Sequence, residues 1–368
     1  MIIQLNSDIK GGNRLNLNQK RIVLLVPRMS GGGAERVSSL LCDYLYRHGY
    51  DASILETESH RNDYLQGCSY PVHSLGVDGI GPIETFQRLI RLRRFFRDNE
   101  PDIIISLGCA FKYLLVLDRS ISGKLVLSER NYPPAVYPSR EFDMITRLFK
   151  RASLVVFQTP EARDCFPDDV RRKSAIIPNP VIDVPNRSAA TASRIVSVCR
   201  LEQQKRIDIL IRAFGLFHRT HPGYTLTVYG NGSLRSQLQK ELEAAGLAEC
   251  VALEHFTKDV HSKIADAKMF VSTSDYEGMQ NSLMEAMAMG IPCVATDCLG
   301  GGASYLLDGG RRGILVQRGD AAAVARGMSQ LADDAGKACE YSRLGLEIRE
   351  QLSLDSVCRQ WLEFIEGN

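Results

Sequence analysis

The chain has 368 residues, 44% of them hydrophobic and 24% charged, which suits two packed domains and excludes disorder and coiled coil. Its 45 basic and 43 acidic residues leave a net charge of +2, so no nucleic acid is expected as a partner. The balance is uneven: residues 1–183 carry 25 Lys/Arg against 21 Asp/Glu, and residues 184–368 carry 20 against 22, a weak pointer to an acidic ligand or anionic surface on the first half.

Residues 1–20 are Asn-rich and lack the apolar stretch of a signal peptide, so they read as a polar N-terminal extension. No apolar run approaches the roughly 18–20 residues that span a bilayer. The ten cysteines contain no C-x-x-C pair and several sit inside apolar runs, which suits the reducing cytoplasm and argues against disulfides or a zinc site.

From residue 21 the pattern is strand, glycine turn, helix, repeated. RIVLLVP (21–27) reads as a strand, SGGGAER (30–36) as a turn, and residues 37–49 as a helix. DASILET (51–57) is the next strand, and FQRLIRLRRFF (86–96) an amphipathic helix. PDIIISLG (101–108), KLVLSE (124–129) and SLVVFQT (153–159) are apolar runs without two-residue alternation, hence strands covered on both faces in a parallel sheet. Residues 174–193 hold three prolines and then a Ser/Ala/Thr-rich stretch, the best linker in the chain. The pattern then restarts: strands at 194–200, 224–230, 251–256, 268–274, 291–297 and 313–316, with helices at 207–223, 233–246 and 283–290. The expected architecture is α/β, two doubly wound Rossmann-like domains facing across a cleft. They cover residues 21–183 and 184–350, and a C-terminal helix at 351–368 crosses back to the first. In such sheets ligands bind beyond the carboxyl ends of the strands.

Four stretches at those ends can carry chemistry. Gly31, Gly32 and Gly33 let the backbone approach a ligand, and the helix start behind them offers free N–H groups to an anion. They also fit the opening of a dinucleotide fingerprint, with Glu56 about 20 residues on as the ribose acid, but Arg36 stands where the third glycine belongs. Arg200 and Lys205, after the strand at 194–200, are placed to neutralise a diphosphate. Gly230 marks another strand-end turn. In DYEGMQNSLMEAMAMG (275–290), Ser282 and Glu285 fit a capping box, S-x-x-E. Glu277, beside Gly278 and ahead of the helix, suits the vicinal hydroxyls of a sugar, and the N–H groups of Asn281, Ser282 and Leu283 suit an anion. Together these features describe a nucleotide-sugar.

SGGGAER, IPNPV (177–181), the Arg200/Lys205 pair, YGNG (229–232), Glu277 and Glu285 eight apart, TDCLGGGASYLLDGG (296–310) and RGILV (312–316) resemble the GT4-like, group 1 retaining glycosyltransferases of bacterial surface-polysaccharide assembly. The resemblance covers nearly the whole chain and implies the GT-B fold. It implies that Glu277 contacts donor sugar hydroxyls, Glu285 the ribose, Arg200 and Lys205 the departing diphosphate, and the Gly31–Gly33 turn the opposite wall. It further implies a UDP-hexose or UDP-N-acetylhexosamine donor, no metal or other cofactor, and a polyprenyl-diphosphate-linked or other glycan acceptor of capsule or lipopolysaccharide synthesis. Two departures stand out. Glu129 and Arg130 occupy the turn where relatives often carry a histidine, and are candidate acceptor or phosphate contacts. Tyr305 stands where a glutamate often follows the glycine turn. Arg88, Arg91 and Arg94 on the helix at 86–97 are candidate contacts to the anionic inner leaflet, which would make the protein peripheral on the cytoplasmic membrane. The competing readings are an NAD-dependent dehydrogenase built on SGGGAER and Glu56, and a nucleotide-sugar-binding protein without turnover.

Overall fold

The computed structural model describes residues 20–29, 32–59, 68–79, 81–108, 112–114, 125–188 and 193–367. Nearly all of the N-terminal extension, and Gly31, lie outside them. The first sheet has seven strands: β1 (Arg21–Val26), β2 (Asp51–Glu56), β3 (Val72–Ser74), β4 (Ile103–Leu107), β5 (Leu125–Glu129), β6 (Leu154–Phe157) and β7 (Ser174–Ile176). Their order is β3-β2-β1-β4-β5-β6-β7, every pair parallel. The second has six: β8 (Arg194–Val198), β9 (Thr225–Tyr229), β10 (Val251–Glu254), β11 (Met269–Ser272), β12 (Cys293–Asp297) and β13 (Ile314–Gln317). Its order is β10-β9-β8-β11-β12-β13, again parallel. The two doubly wound halves are therefore present. The stretch at 174–193 is not linker throughout, because Ser174–Ile176 pairs with β6 as an edge strand before the chain leaves the sheet.

Strand β1 shows why the apolar runs lack alternation. Ile22, Leu24 and Val26 enter one core, while Val23 and Leu25 enter another on the opposite face of the sheet. Both faces are dry, so both sets are apolar. The first of these cores continues into the second half through Val196, Phe270 and Met284, and takes in Trp361. Trp361 belongs to the helix Leu354–Glu366, which packs on helix α1 (Gly33–Arg47), where the Tyr44 hydroxyl donates to Asp355 Oδ1 at 3.0 Å.

Each sheet reverses its winding once, between β1 and β4 and between β8 and β11. At such a switch the loops from neighbouring strands part in opposite directions and leave a crevice beyond the carboxyl ends. The glycine turn leaves β1, Arg200 follows β8, and Glu277 follows β11. Topology alone brings the candidate residues to two facing crevices.

Helix α2 (Pro82–Asn99) corrects one expectation. Arg88 is fully buried, donating to the carbonyls of Thr57 (2.9 Å), Val77 (2.8 Å) and Gly79 (2.7 Å), so it cannot meet a membrane. Arg91 Nη1 donates to the carbonyls of Leu75 and Gly76. Arg94 remains exposed and pairs only loosely with Asp98 at 3.5 Å. Exposed instead are Ile83 (67%), Phe86 (65%) and Ile90 (49%), an apolar line that amphipathic counting assigns to the core. Among the described residues no helix is long and apolar enough to cross a membrane.

Candidate active site

The helix Asn281–Ala288 starts without a side-chain cap. Gln280, its N-cap residue, turns away: its amide accepts from Ser272 Oγ at 2.9 Å and donates to Cys298 Sγ at 3.2 Å. Ser282 lies inside the helix, so the capping box of Ser282 and Glu285 is not what the fold uses. The N–H groups of the first turn are left for an anion, with the positive end of the helix dipole behind them. Leu283 is buried in the core and offers only its backbone there.

Glu277 and Glu285 stand at the two sides of this helix start. Glu277 accepts from Ser274 Oγ (2.8 Å) and Gln204 Nε2 (3.2 Å), and forms a close ion pair with Lys205. The loop that delivers Lys205 is fixed by Thr273, whose hydroxyl lies 3.0 Å from the carbonyls of Lys205 and Arg206. A carboxylate and an ammonium held together at a strand end suit the junction of a glycosyl diphosphate, where hydroxyls meet phosphate oxygens. Arg200 is exposed at the end of β8, and its nearest bond is a long one to Gln204 Oε1 at 3.4 Å. Gly230 packs against the Cys199 backbone and holds the turn next to it.

Glu285 is gripped from two sides, by Arg36 Nη1 at 2.9 Å and His261 Nε2 at 2.7 Å. Arg36 belongs to α1 of the first half, so this pair spans the cleft. Beside it Gly33 faces Asn281: a β-carbon on Gly33 would lie 3.2 Å from Asn281 Nδ2. Gly32 lies under the Glu35 carboxyl, which burial raises above the usual carboxylate range while the charge of Arg200 opposes the rise. Of the glycine turn, Gly32 and Gly33 lie beside Arg36, Glu35 and His261 at this edge of the cleft, and Gly31 falls outside the described residues. The one sequence signal for Arg36 was its intrusion into the glycine fingerprint.

A polar seam continues from there. Asn179 Nδ2 donates to Asn281 Oδ1 at 2.6 Å, while Asn179 Oδ1 accepts from Gln158 Nε2 (2.7 Å) and from Arg130. Gln158 Oε1 accepts from the Met279 backbone at 3.0 Å. Gly278 fits between Gln158 and the Arg130 carbonyl, a contact that any side chain would block. Arg130, also bonded to Ser128 Oγ at 3.1 Å, is thus tied through Asn179 to the helix start where the anion is expected. Burial depresses its guanidinium, and Glu129 opposes that. Glu129 is buried beneath the loop. It accepts from the N–H groups of Arg130 (2.9 Å) and Asn131 (3.1 Å) and from the Tyr137 hydroxyl (3.1 Å). Burial pushes its carboxyl up to about 7 against those bonds. Glu129 therefore positions the Arg130 loop and does not itself reach a ligand.

Glu56, the acid required by the dehydrogenase reading, is fully buried and accepts the Met29 N–H at 2.7 Å. It braces the turn after β1 and is not presented to a ribose. Among the described residues no group of three or more His, Cys, Asp or Glu is arranged to hold a metal.

Residues 192–334 match the family model of the glycosyl transferases group 1. An exopolysaccharide phosphotransferase of Streptomyces coelicolor is 27% identical over 286 residues, 76% of this chain but only 30% of that protein's length. The N-acetylgalactosamine-N,N'-diacetylbacillosaminyl-diphospho-undecaprenol 4-alpha-N-acetylgalactosaminyltransferase of Campylobacter jejuni is 24% identical over 95% of this chain and 100% of its own. Among solved structures, Anabaena HepE in complex with UDP and glucose superposes with a TM-score of 0.80 at 20% identity, over 94% of this chain and 98% of that one.

Proposed function

Because the chain is a GT4-like member of the group 1 glycosyltransferases with the GT-B fold, we propose that it moves a sugar from a UDP-hexose or UDP-N-acetylhexosamine to a lipid-linked saccharide, with retention and without metal. The observation that carries this reading is the convergence at one helix start. Glu277 with Lys205 stands on one side, Glu285 with Arg36 and His261 on the other, and uncapped N–H groups lie between. A ribose fits Glu285, a diphosphate the helix N-terminus with Arg200 and Lys205, and a hexose Glu277. The leaving group is already good, so the chain needs to stabilise negative charge growing on the phosphate oxygens and to hold the acceptor in line. Arg200 and Lys205 supply the first. The seam through Asn179 orients Arg130 toward the same anion.

The acceptor side rests on the surface of α2. Ile83, Phe86 and Ile90 recur at helical spacing and lead into Arg93, Arg94 and Arg97 along the same line. Apolar groups followed by cations suit the interface of an anionic bilayer, where a polyprenyl-linked acceptor would reside. Arg94 keeps the role first read from the sequence, and Arg88 gives it up. The Campylobacter relative, whose name specifies an undecaprenol-linked acceptor over matching full lengths, supports this class of acceptor. A panel of nucleotide-sugars incubated with bacterial lipid extract, with products read by mass spectrometry, tests the proposal. A hexose or N-acetylhexosamine mass added from a UDP donor is the expected result; no transfer from any donor would favour a silent binding protein.

A further inference from the structure

The contacts that close the cleft also divide it. Gly300 lies against Tyr132 and Gly301 against Glu161, each of them second-half backbone touching a first-half side chain. Beside this contact lies a separate cavity of about 990 Å³ that shares no lining residue with the Glu277–Glu285 site. Its walls come from four places: the helix start after β6, Pro178 after β7, the stretch from Asp297 to Arg312 after β12, and the C-terminal helices at Ile348–Gln351 and Leu354–Glu366. Its volume is at the upper end of that of small-molecule sites, about 300–1,000 Å³.

The charges in its wall narrow the ligand class. Arg311 is paired with Asp308 at 2.6 Å and Glu347 at 3.4 Å; Arg312 donates to Gln351 at 2.8 Å. The carboxylates of Asp308 and Glu347 already offset the charge an anion would meet there, although Arg312 Nε keeps a donor without a partner. Glu161 and Asp297 meet no cation among the described residues and remain as acceptors, with Ser304 and Gln360 nearby in the lining. Arg311 and Arg312 in the same lining disfavour a cation there. Hydroxyl groups conflict with neither set, since they donate to the carboxylates and accept from N–H groups that have donors to spare. Tyr305, 40% exposed, supplies an aromatic ring to the same lining, and Pro160, Pro178 and Leu352 add apolar surface. The apolar C–H face of a pyranose packs on such a ring, whose π-face is negative.

We propose that this cavity is a saccharide-binding site, with Tyr305 as its platform and Glu161 and Asp297 as its hydroxyl acceptors. Resting on the glycosyltransferase reading, its occupant is the glycan chain of the acceptor or product beyond the sugar being extended. Both halves line the cavity, so a bound chain bridges them and holds the acceptor without touching the groups that act on the donor. Its loss should appear in KM for long acceptors and leave kcat unchanged.

The test is a microarray of bacterial surface oligosaccharides probed with the fluorescently labelled full chain, with saturating UDP present. Wild type is expected to bind a subset of the saccharides, Tyr305→Ala to lose at least tenfold of that signal, and Tyr305→Phe to keep it. All three should show the same thermal stabilisation by UDP. A blank array for wild type, or equal signal for Tyr305→Ala, overturns the site. If donor transfer is seen while the array is blank, the cavity assignment falls and the transferase reading stands. Binding that depends on Tyr305, with no donor turned over, would have the opposite meaning.

Discussion

Replacing Glu277 by alanine separates catalysis from stability because its partners are known. Lys205 and Glu277 have side-chain exposures of only 16% and 10%. Removing one member of a buried pair strands the other charge, at about 3–5 kcal/mol when burial is complete. Here Lys205 keeps some solvent contact, which brings the expected loss down to about 2 kcal/mol, or roughly 4–8 °C in Tm for a unit of this size. Transfer should fall at least about 100-fold, the scale seen when a charge-stabilising group is deleted. UDP should still stabilise the variant, since Glu277 is assigned to the sugar and not to the nucleotide. The double variant Glu277→Ala/Lys205→Met removes both charges. It should recover most of the lost Tm while transfer stays absent. Mass-spectrometric product detection and thermal unfolding with and without UDP read all three quantities. Full transfer in either variant would refute the assignment of Glu277.

Other expectations follow from the same geometry. Glu285→Ala deletes the carboxylate assigned to the ribose and should weaken UDP binding about tenfold or more, read as a smaller UDP-induced rise in Tm; an unchanged rise contradicts the role. Glu129 titrates at about 7 in the fold against an ordinary value of 4.5, so the native state holds a proton that the unfolded chain releases between those values. Its contribution is greatest below pH 4.5 and is lost as pH rises to 7, by up to about 3 kcal/mol. Glu129→Gln should remove that slope, and identical denaturant midpoints against pH in both proteins would oppose it. Phe86→Ser with Arg94→Glu should reduce sedimentation with phosphatidylglycerol vesicles and leave UDP binding intact, while equal sedimentation would remove the membrane contact.

Much of this was legible in the sequence because parallel strands buried on both faces leave continuous apolar runs. The runs at 21–27, 51–57, 101–108 and 194–200 all became strands. Strands β3 and β7 were missed as strands because each has three residues at a sheet edge, too few to set a period. The placement of Glu277, Lys205 and Arg200 followed from strand-end loops, which topology fixes. What was not legible depends on which long side chain folds inward. Arg88 and Arg94 lie about 120° apart around α2, and no local pattern tells which of those faces turns inward, yet one is buried among three carbonyls and the other faces solvent. Likewise, no local pattern announces that Arg36 will meet Glu285 from 249 positions away, or that Gln280 will spend its amide on Ser272 and Cys298 instead of capping a helix.

The central claim is that a nucleotide-sugar lies across the start of helix Asn281–Ala288, and a crystal structure with UDP tests it most directly. The account predicts the diphosphate against the N–H groups of Asn281–Leu283 and beside Arg200, with the ribose hydroxyls on the Glu285 carboxylate. A nucleotide seated only on the first sheet, against the turn after β1 and away from Glu285, would contradict it.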